Sequence, residues 1–252
     1  MDRAAALQRL RARLRQGEAT IGGWMQIPHG SIAEIMGRIG FDWVAVDMEH
    51  GAIGVPQLPD LFRALELGDT LPLARLAEGN ERECKQVLDA GAAGVIVPMI
   101  ESAAQLTQLR NACRWPPAGA RGVGFSRANL FGMSFAAYAR EAQAPLLVAM
   151  IEHVRAIPEL PRILAVEGLD SILVGPYDLS ASMGITGCFD DPQFVAIMAE
   201  IRIQTQRGGV PYGVHVVTPS PATLRLRQQE GCRFLAYGTD AQFLLHGARR
   251  DA

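Results

Sequence analysis

Two short apolar runs, Leu71-Pro72-Leu73-Ala74-Arg75-Leu76 and Gly94-Val95-Ile96-Val97-Pro98-Met99, bracket a segment of different rhythm. Between them Cys84, Val87 and Leu88 fall on one helical face, and Gly91 stands where a helix ends. Strand, helix and strand in about thirty residues make a βαβ unit, and that unit pairs its strands in parallel. The rhythm continues in both directions. Further candidate strands are Ile21–Ile27, Trp43–Glu49, Leu146–Glu152, Ser171–Gly175, Tyr212–Val217 and Phe234–Tyr237. The intervening stretches carry helical faces, among them Ile32/Ile35/Met36/Ile39, Leu58/Leu61/Phe62/Leu65 and Phe194/Ile197/Met198/Ile201. Asp191-Pro192 opens a helix, and Gly40, Gly68 and Gly168 close others.

Strand and helix alternating about eight times within 252 residues predicts an α/β fold, a (β/α)8 TIM barrel. It is expected to be a single domain over residues 1–252, with an N-terminal helix ahead of the first strand. An open doubly wound sheet is the rival. It would want a nucleotide fingerprint, and no GxGxxG occurs; Arg121-Gly122-Val123-Gly124 follows a proline-rich loop and not a strand. The interval from Met99 to Leu146 is too long for one crossover. It is expected to hold a helix over Ala103–Cys113, a glycine-bearing loop over 116–132 and a short helix over Phe135–Glu141.

Composition removes several classes of function. The formal net charge of −2 leaves no footprint for nucleic acid or an anionic membrane. No apolar run reaches the roughly 18–20 residues of a membrane span. The arginine-rich start, Met1 to Gln16, reads as a capping helix in preference to a signal peptide or an organelle transit segment. Cys84, Cys113, Cys188 and Cys232 are scattered without a CxxC pair, which argues against a zinc site or a disulfide framework and fits a reducing cytoplasm.

Barrel chemistry collects where strands end. Polar residues are concentrated there: Asp47, Glu49 and His50 after the second strand, Arg75 on the third, Glu152 and His153 after the fifth, Gly175-Pro176-Tyr177-Asp178 after the sixth, and Thr239 and Asp240 after the eighth. Each has a plainer reading. Asp178 is also a candidate helix N-cap, Glu152 a loop opener, Asp47 and Glu49 a solvated strand end, and His215 a structural residue inside the seventh strand. His153 competes with His50 as a proton-transfer group.

Two carboxylates such as Glu152 and Asp178 suit a hard divalent cation, which keeps waters and takes one or two protein carboxylates. A nearby imidazole moves protons, and an arginine holds a carboxylate or a developing oxyanion. The lysine count narrows the mechanism. Of 24 basic residues only Lys85 is a lysine, on the polar face of a helix. A Schiff-base aldolase needs a lysine inside its barrel, so imine chemistry is excluded in favour of a metal.

These residues resemble the HpcH/HpaI class II aldolase family. The likeness rests on Gly40-Phe41-Asp42-Trp43 through Asp47-x-Glu49-His50-Gly51, Pro72-Leu73-Ala74-Arg75, Leu88-Asp89-Ala90-Gly91 with Val97-Pro98-Met99, and Pro116-Pro117-x-Gly119-x-Arg121-Gly122-Val123-Gly124. It continues through Ile151-Glu152 and Val166-Glu167-Gly168-Leu169-Asp170 to Gly175-Pro176-Tyr177-Asp178-Leu179-Ser180. The blocks run in order over most of the chain. Gly213-Val214-His215-Val216-Val217 and Ser126-Arg127-Ala128 are similar to a less characterised branch.

The resemblance implies an aldolase that cleaves 4-hydroxy-2-oxo acids to pyruvate and an aldehyde through a metal-stabilised pyruvate enolate. It implies a divalent cation (Mg2+, Mn2+ or Co2+) on Glu152 and Asp178, with His50 as acid/base and Arg75 stabilising enolate and aldehyde oxygen. Gly175, Pro176, Tyr177 and Asp178 would receive the pyruvate carboxylate, helped by the N-terminus of a helix. Asp47 would orient His50, and Asp89 would raise the basicity of that histidine. Asp89 sits late in its helix, nearer the opposite rim, so that role implies action across a subunit interface; the family is commonly hexameric. One departure is Met150, where the family often has a glutamine that contacts substrate. An alternative is carbon–carbon lyase or synthase chemistry with oxaloacetate or a CoA thioester. The aldehyde pocket is expected to involve the 116–132 loop, where Arg127 either recognises a distal carboxylate or sugar hydroxyl or is simply solvated.

Overall fold

The computed structural model describes residues 1–249. Its strands are β1 (Thr20–Met25), β2 (Trp43–Asp47), β3 (Leu71–Arg75), β4 (Gly94–Val97), β5 (Leu146–Ile151), β6 (Ser171–Val174), β7 (Tyr212–Val216) and β8 (Phe234–Thr239). Every neighbouring pair is parallel, and β8 pairs back onto β1 to close the barrel in sequence order. The helices are α1 (Arg3–Arg15), α2 (Gly30–Arg38), α3 (Leu58–Glu66), α4 (Glu81–Ala90), α5 (Ala103–Cys113) and α6 (Phe135–Glu141). They continue as α7 (Ala156–Leu164), α8 (Pro176–Ser182), α9 (Pro192–Gly208), α10 (Pro221–Gln229) and α11 (Asp240–Ala248). The (β/α)8 expectation therefore holds, and α5 and α6 occupy the residues that periodicity assigned to them.

The strand period of two sorts side chains into two cores. Val44, Val46, Ala74, Leu76, Val95 and Val97 point outward onto the helices. Trp43, Ala45, Leu71, Leu73, Leu146, Val148, Leu173 and Phe234 point into the bore. Trp43 and Phe234 stack there with ring centroids 4.2 Å apart.

Helix α1 stoppers the end where the strands begin. Asp2 caps it, accepting from the Ala5 N–H at 3.0 Å. Ala6, Leu7, Leu10 and Leu14 form one apolar stripe, and that stripe joins the inner core. Its arginines tie it down at the same end. Arg11 makes a two-pronged bond to Asp170 (2.7 and 2.8 Å), Arg13 pairs with Asp42, and Arg3 pairs with Glu141.

Within the subunit the 116–132 loop also belongs to this end, away from the open mouth of its own barrel. Arg127 is not solvated, and its charge is engaged inside the subunit. It is nearly buried and paired with Glu66, a carboxylate it shares with Arg3. The Arg3 guanidinium also donates to the carbonyls of Gly91 and Ala128, at 3.2 and 3.0 Å. The loop thus spends its charge on holding α1 against α3 and α4.

Candidate active site

The opposite end of the bore is open. Inward parity carries on past the apolar layers: Trp43 and Ala45 lead to Asp47, Leu71 and Leu73 to Arg75, Val148 and Met150 to Glu152. The same alternation leads from Gly22 and Trp24 to Gln26, and from Gly213 to His215. A cavity of about 260 Å3 opens here, lined by Gln26, Asp47, His50, Arg75, Met150 and His215 on one side. The Gly175-Pro176-Tyr177-Asp178 segment lines the other. A larger groove of about 570 Å3 beside α9 and α10 adjoins it through Tyr177 and His215 but lacks Arg75 and the acidic cluster.

Asp47 is the node of the site. It has no exposed surface. Its Oδ1 accepts from Arg75 Nε at 2.8 Å and from the backbone N–H groups of Glu49 and His50 at 3.1 and 3.2 Å. Gln26 donates to Oδ2 at 3.0 Å. Burial pushes the Asp47 carboxyl up, but Arg75 and these hydrogen bonds outweigh it and hold the group below its ordinary value. The contact with His50 is to its backbone, so Asp47 fixes the turn from which the exposed imidazole projects.

Arg75, 4% exposed, also pairs with Glu49 through Nη1, and its guanidinium lies 5.4 Å from the Trp24 ring. Asp47 and Glu49 are therefore not a solvated strand end. Both are ion-paired to one arginine.

Glu152 is buried, and its Oε1 accepts the Met99 N–H at 2.7 Å. Met99 holds a left-handed backbone (φ 51°) to aim that N–H, a conformation uncommon for a residue with a side chain. Burial lifts the Glu152 carboxyl to about 7, and the negative charges of Glu49 and Asp178 add to the lift. Burial raises Glu49 as well, with Asp47 and Asp178 contributing. Gly175 makes room for this carboxylate, because a Cβ there would lie 2.4 Å from Glu152 Oε2. Asp178 is not a helix cap: Gly175 occupies that position of α8 and Asp178 lies in the first turn, exposed toward the cavity.

Glu152 thus sits buried within reach of the negative charges of Glu49 and Asp178, a concentration of carboxylates that suits a cation. Among the described residues no three His, Cys, Asp or Glu side chains close around one point. The residues that could hold such an ion are the carboxylates of Glu152 and Asp178, with water and substrate oxygens completing its shell. That is the set a magnesium-like ion takes.

Other candidates fall outside the cavity. His153 turns its Nδ1 to the Arg155 N–H at 3.1 Å. Asp240 takes the N–H groups of Gln26 and Ile27 and clasps the end of β1. Asp89 is far along α4 beside Arg121 and Lys85, with its carboxyl raised by burial against their pull. Gln26, and the cavity-facing position of His215, were not anticipated; counting inward parity along β1 and β7 would have found both.

The profile of the HpcH/HpaI aldolase/citrate lyase family matches residues 20–247. The chain is 37% identical over 246 residues to a hydroxypyruvate/pyruvate aldolase of Roseobacter denitrificans, covering 96% of this chain and 94% of that one. It is 34% identical to a 4-hydroxy-2-oxovalerate aldolase of Novosphingobium aromaticivorans, with 94% and 90% covered. The crystal structure of an HpcH/HpaI aldolase/citrate lyase family protein from Burkholderia cenocepacia superposes with a TM-score of 0.90 at 30% identity, covering 96% of this chain and 97% of that one.

Proposed function

The chain belongs to the HpcH/HpaI aldolase/citrate lyase family, and from that premise we propose that it cleaves, and in reverse forms, 4-hydroxy-2-oxo acids by a metal-assisted aldol reaction at the mouth lined by Asp47, His50, Arg75 and Asp178. It is a carbon–carbon lyase of the aldolase type. The observation that carries the assignment of the site is one buried arginine held between Asp47 and Glu49, facing the carboxylates of Glu152 and Asp178.

Glu152 and Asp178 would hold a divalent cation, Mg2+, Mn2+ or Co2+, which when bound would supply Lewis-acid polarisation of an oxo group. The chain's own residues do the rest. Arg75 has five N–H donors, and Asp47 and Glu49 leave some of them free for oxygen charge that develops as the carbon–carbon bond breaks. His50 takes the proton from the 4-hydroxyl and returns one to the three-carbon fragment, its ring carried on the turn that Asp47 fixes. The opening turn of α8, over Pro176, Tyr177 and Asp178, receives the substrate carboxylate. Burial of Arg75 and Asp47 keeps water from competing for the guanidinium.

The chain works as a single barrel domain in a homo-oligomer, a hexamer, in the cytoplasm. Phe125, Phe131 and Met133 are each more than two-thirds exposed near Asp89's helix, and an apolar patch of this kind supports a subunit interface. Through that interface Asp89 reaches the His50 of another subunit. Among the described residues no helix is long and apolar enough to cross a membrane, and the four cysteines are unpaired.

The test is a retro-aldol screen of 4-hydroxy-2-oxo acids with released pyruvate coupled to a reductase. Turnover that EDTA stops and Mg2+ or Mn2+ restores is the expected result. Failure to release pyruvate from any member of the series overturns the reading.

A further inference from the structure

The β7 histidine is the cavity-lining residue that the reaction above leaves without a task. His215 lines the cavity beside Trp24, ring centroids 4.9 Å apart. Its Nε2 is 3.2 Å from the carbonyl oxygen of Gly238. That carbonyl is offered by a bulge. Gly22 pairs with Ala236 but Trp24 pairs with Thr239, so β8 carries one extra residue between these contacts. The bulge is built on Gly238, whose φ of 63° favours glycine and whose absent Cβ would lie 2.5 Å from the Phe243 ring.

A carbonyl only accepts, so the proton of a neutral imidazole sits on Nε2 and Nδ1 is an acceptor. Burial lowers His215 to about 4, with Arg75 adding to the effect, so the ring is neutral near pH 7. Among the described residues Nδ1 has no protein partner. The sheet thus fixes the tautomer and leaves Nδ1 as a neutral acceptor on a ring that lines the cavity. The methyl group of pyruvate has no donor to meet it. A hydroxyl would.

We propose that His215 is a specificity residue that accepts a hydrogen bond from a substrate hydroxyl on the carbon next to a carbonyl group. The substrates of this barrel are then α-hydroxycarbonyl compounds. The hydroxyl belongs either to the oxo acid, as in a 3-hydroxy-2-oxo acid, or to a 2-hydroxyaldehyde. Met150 lines the same cavity and offers no comparable acceptor, so the discrimination rests on β7. This deepens the aldolase reading and depends on it.

The experiment compares the protein with His215→Leu and His215→Gln, loaded with Mn2+. Condensation is measured for hydroxypyruvate against pyruvate with one aldehyde, and for glycolaldehyde against acetaldehyde with one oxo acid. The kcat/KM ratio of the hydroxylated to the plain partner should fall about tenfold in His215→Leu. His215→Gln keeps an acceptor and a donor for Gly238 and should recover part of the ratio. A fall on the oxo-acid arm or on the aldehyde arm assigns the hydroxyl to that partner. Ratios unchanged on both arms, or a fall that His215→Gln does not relieve, overturn the proposal. Calorimetric titration of the same compounds, the aldehydes over saturating oxalate, which has no carbon able to condense, reads the preference without turnover. Absence of any condensation by the unaltered protein would defeat the aldolase reading; equal affinity of the unaltered protein for hydroxylated and plain ligands would defeat this one.

Discussion

Arg75 Nε lies 2.8 Å from Asp47 Oδ1, and the same oxygen accepts the backbone N–H of His50. The residue that holds the anion-stabilising side chain thereby also holds the turn bearing the proton-transfer side chain. Asp47→Asn should disturb both. Breaking a buried pair from one side costs about 3–5 kcal/mol. Urea denaturation should show a loss of that order, and turnover should fall with it. Unchanged stability would show that Gln26 and the backbone donors suffice.

Arg75→Lys keeps the charge and loses the planar fork that reaches Asp47 and Glu49 together. The expected loss is in kcat more than in KM, because the oxygen charge it meets grows toward the transition state. A change confined to KM would make Arg75 a ground-state anchor.

His50→Ala should reduce kcat about 10²–10⁴-fold while Mn2+ still binds. His153 is turned to Arg155 and away from the cavity, so His153→Ala should retain most of its activity. The reverse pattern, with metal occupancy measured in both, would transfer the proton-transfer role to His153.

Gly175→Ala tests the carboxylate without altering it. The added methyl would fall 2.4 Å from Glu152 Oε2. Calorimetry should show Mn2+ affinity lowered in Gly175→Ala and in Glu152→Gln alike. Borohydride with pyruvate should leave the chain unlabelled, and modification at Lys85 would contradict the metal mechanism.

His215 gives a pH signature in stability. Its folded value of about 4 lies below the ordinary histidine value of 6.5, so the unfolded chain takes up the proton first as pH falls. The contribution is complete above pH 6.5 and is lost between there and about 4, up to about 3 kcal/mol. Arg75 and Asp47 are the charged groups that bear on the ring. His215→Leu should flatten this part of the melting-temperature profile, and an identical profile would show that the histidine is readily protonated in the fold.

Arg127→Ala should lower the melting temperature by several degrees by freeing Glu66 and loosening α1, and should leave KM for every aldehyde unchanged. A shift in aldehyde KM would return the 116–132 loop to the substrate side.

The barrel was legible because its evidence is local. Each strand is a short apolar run and each helix a periodic stripe, and eight of each in alternation admit few other folds. Asp47, Arg75, Glu152 and Asp178 were legible because charge at the end of an apolar strand is unusual in any sequence. Gln26 was not, since a neutral amide ahead of Pro28 carries no such contrast; only its parity with Trp24 marks it. His215 looked structural because it sits between valines, yet in a closed barrel that alternation turns it inward. Arg127 misled for the opposite reason. A loop arginine followed by alanine gives no hint of Glu66, sixty-one positions earlier, and only tertiary folding supplies the partner.

Helix α1 gives the vessel a single doorway. With Leu7, Leu10 and Leu14 plugging the bottom of the bore, nothing passes through the barrel from end to end. Traffic at such a site is last in, first out. The fragment seated deepest, against Glu152, must arrive before its partner and depart after it. Product inhibition should accordingly be ordered, with the oxo acid blocking the empty protein and the aldehyde blocking only the protein already holding oxo acid.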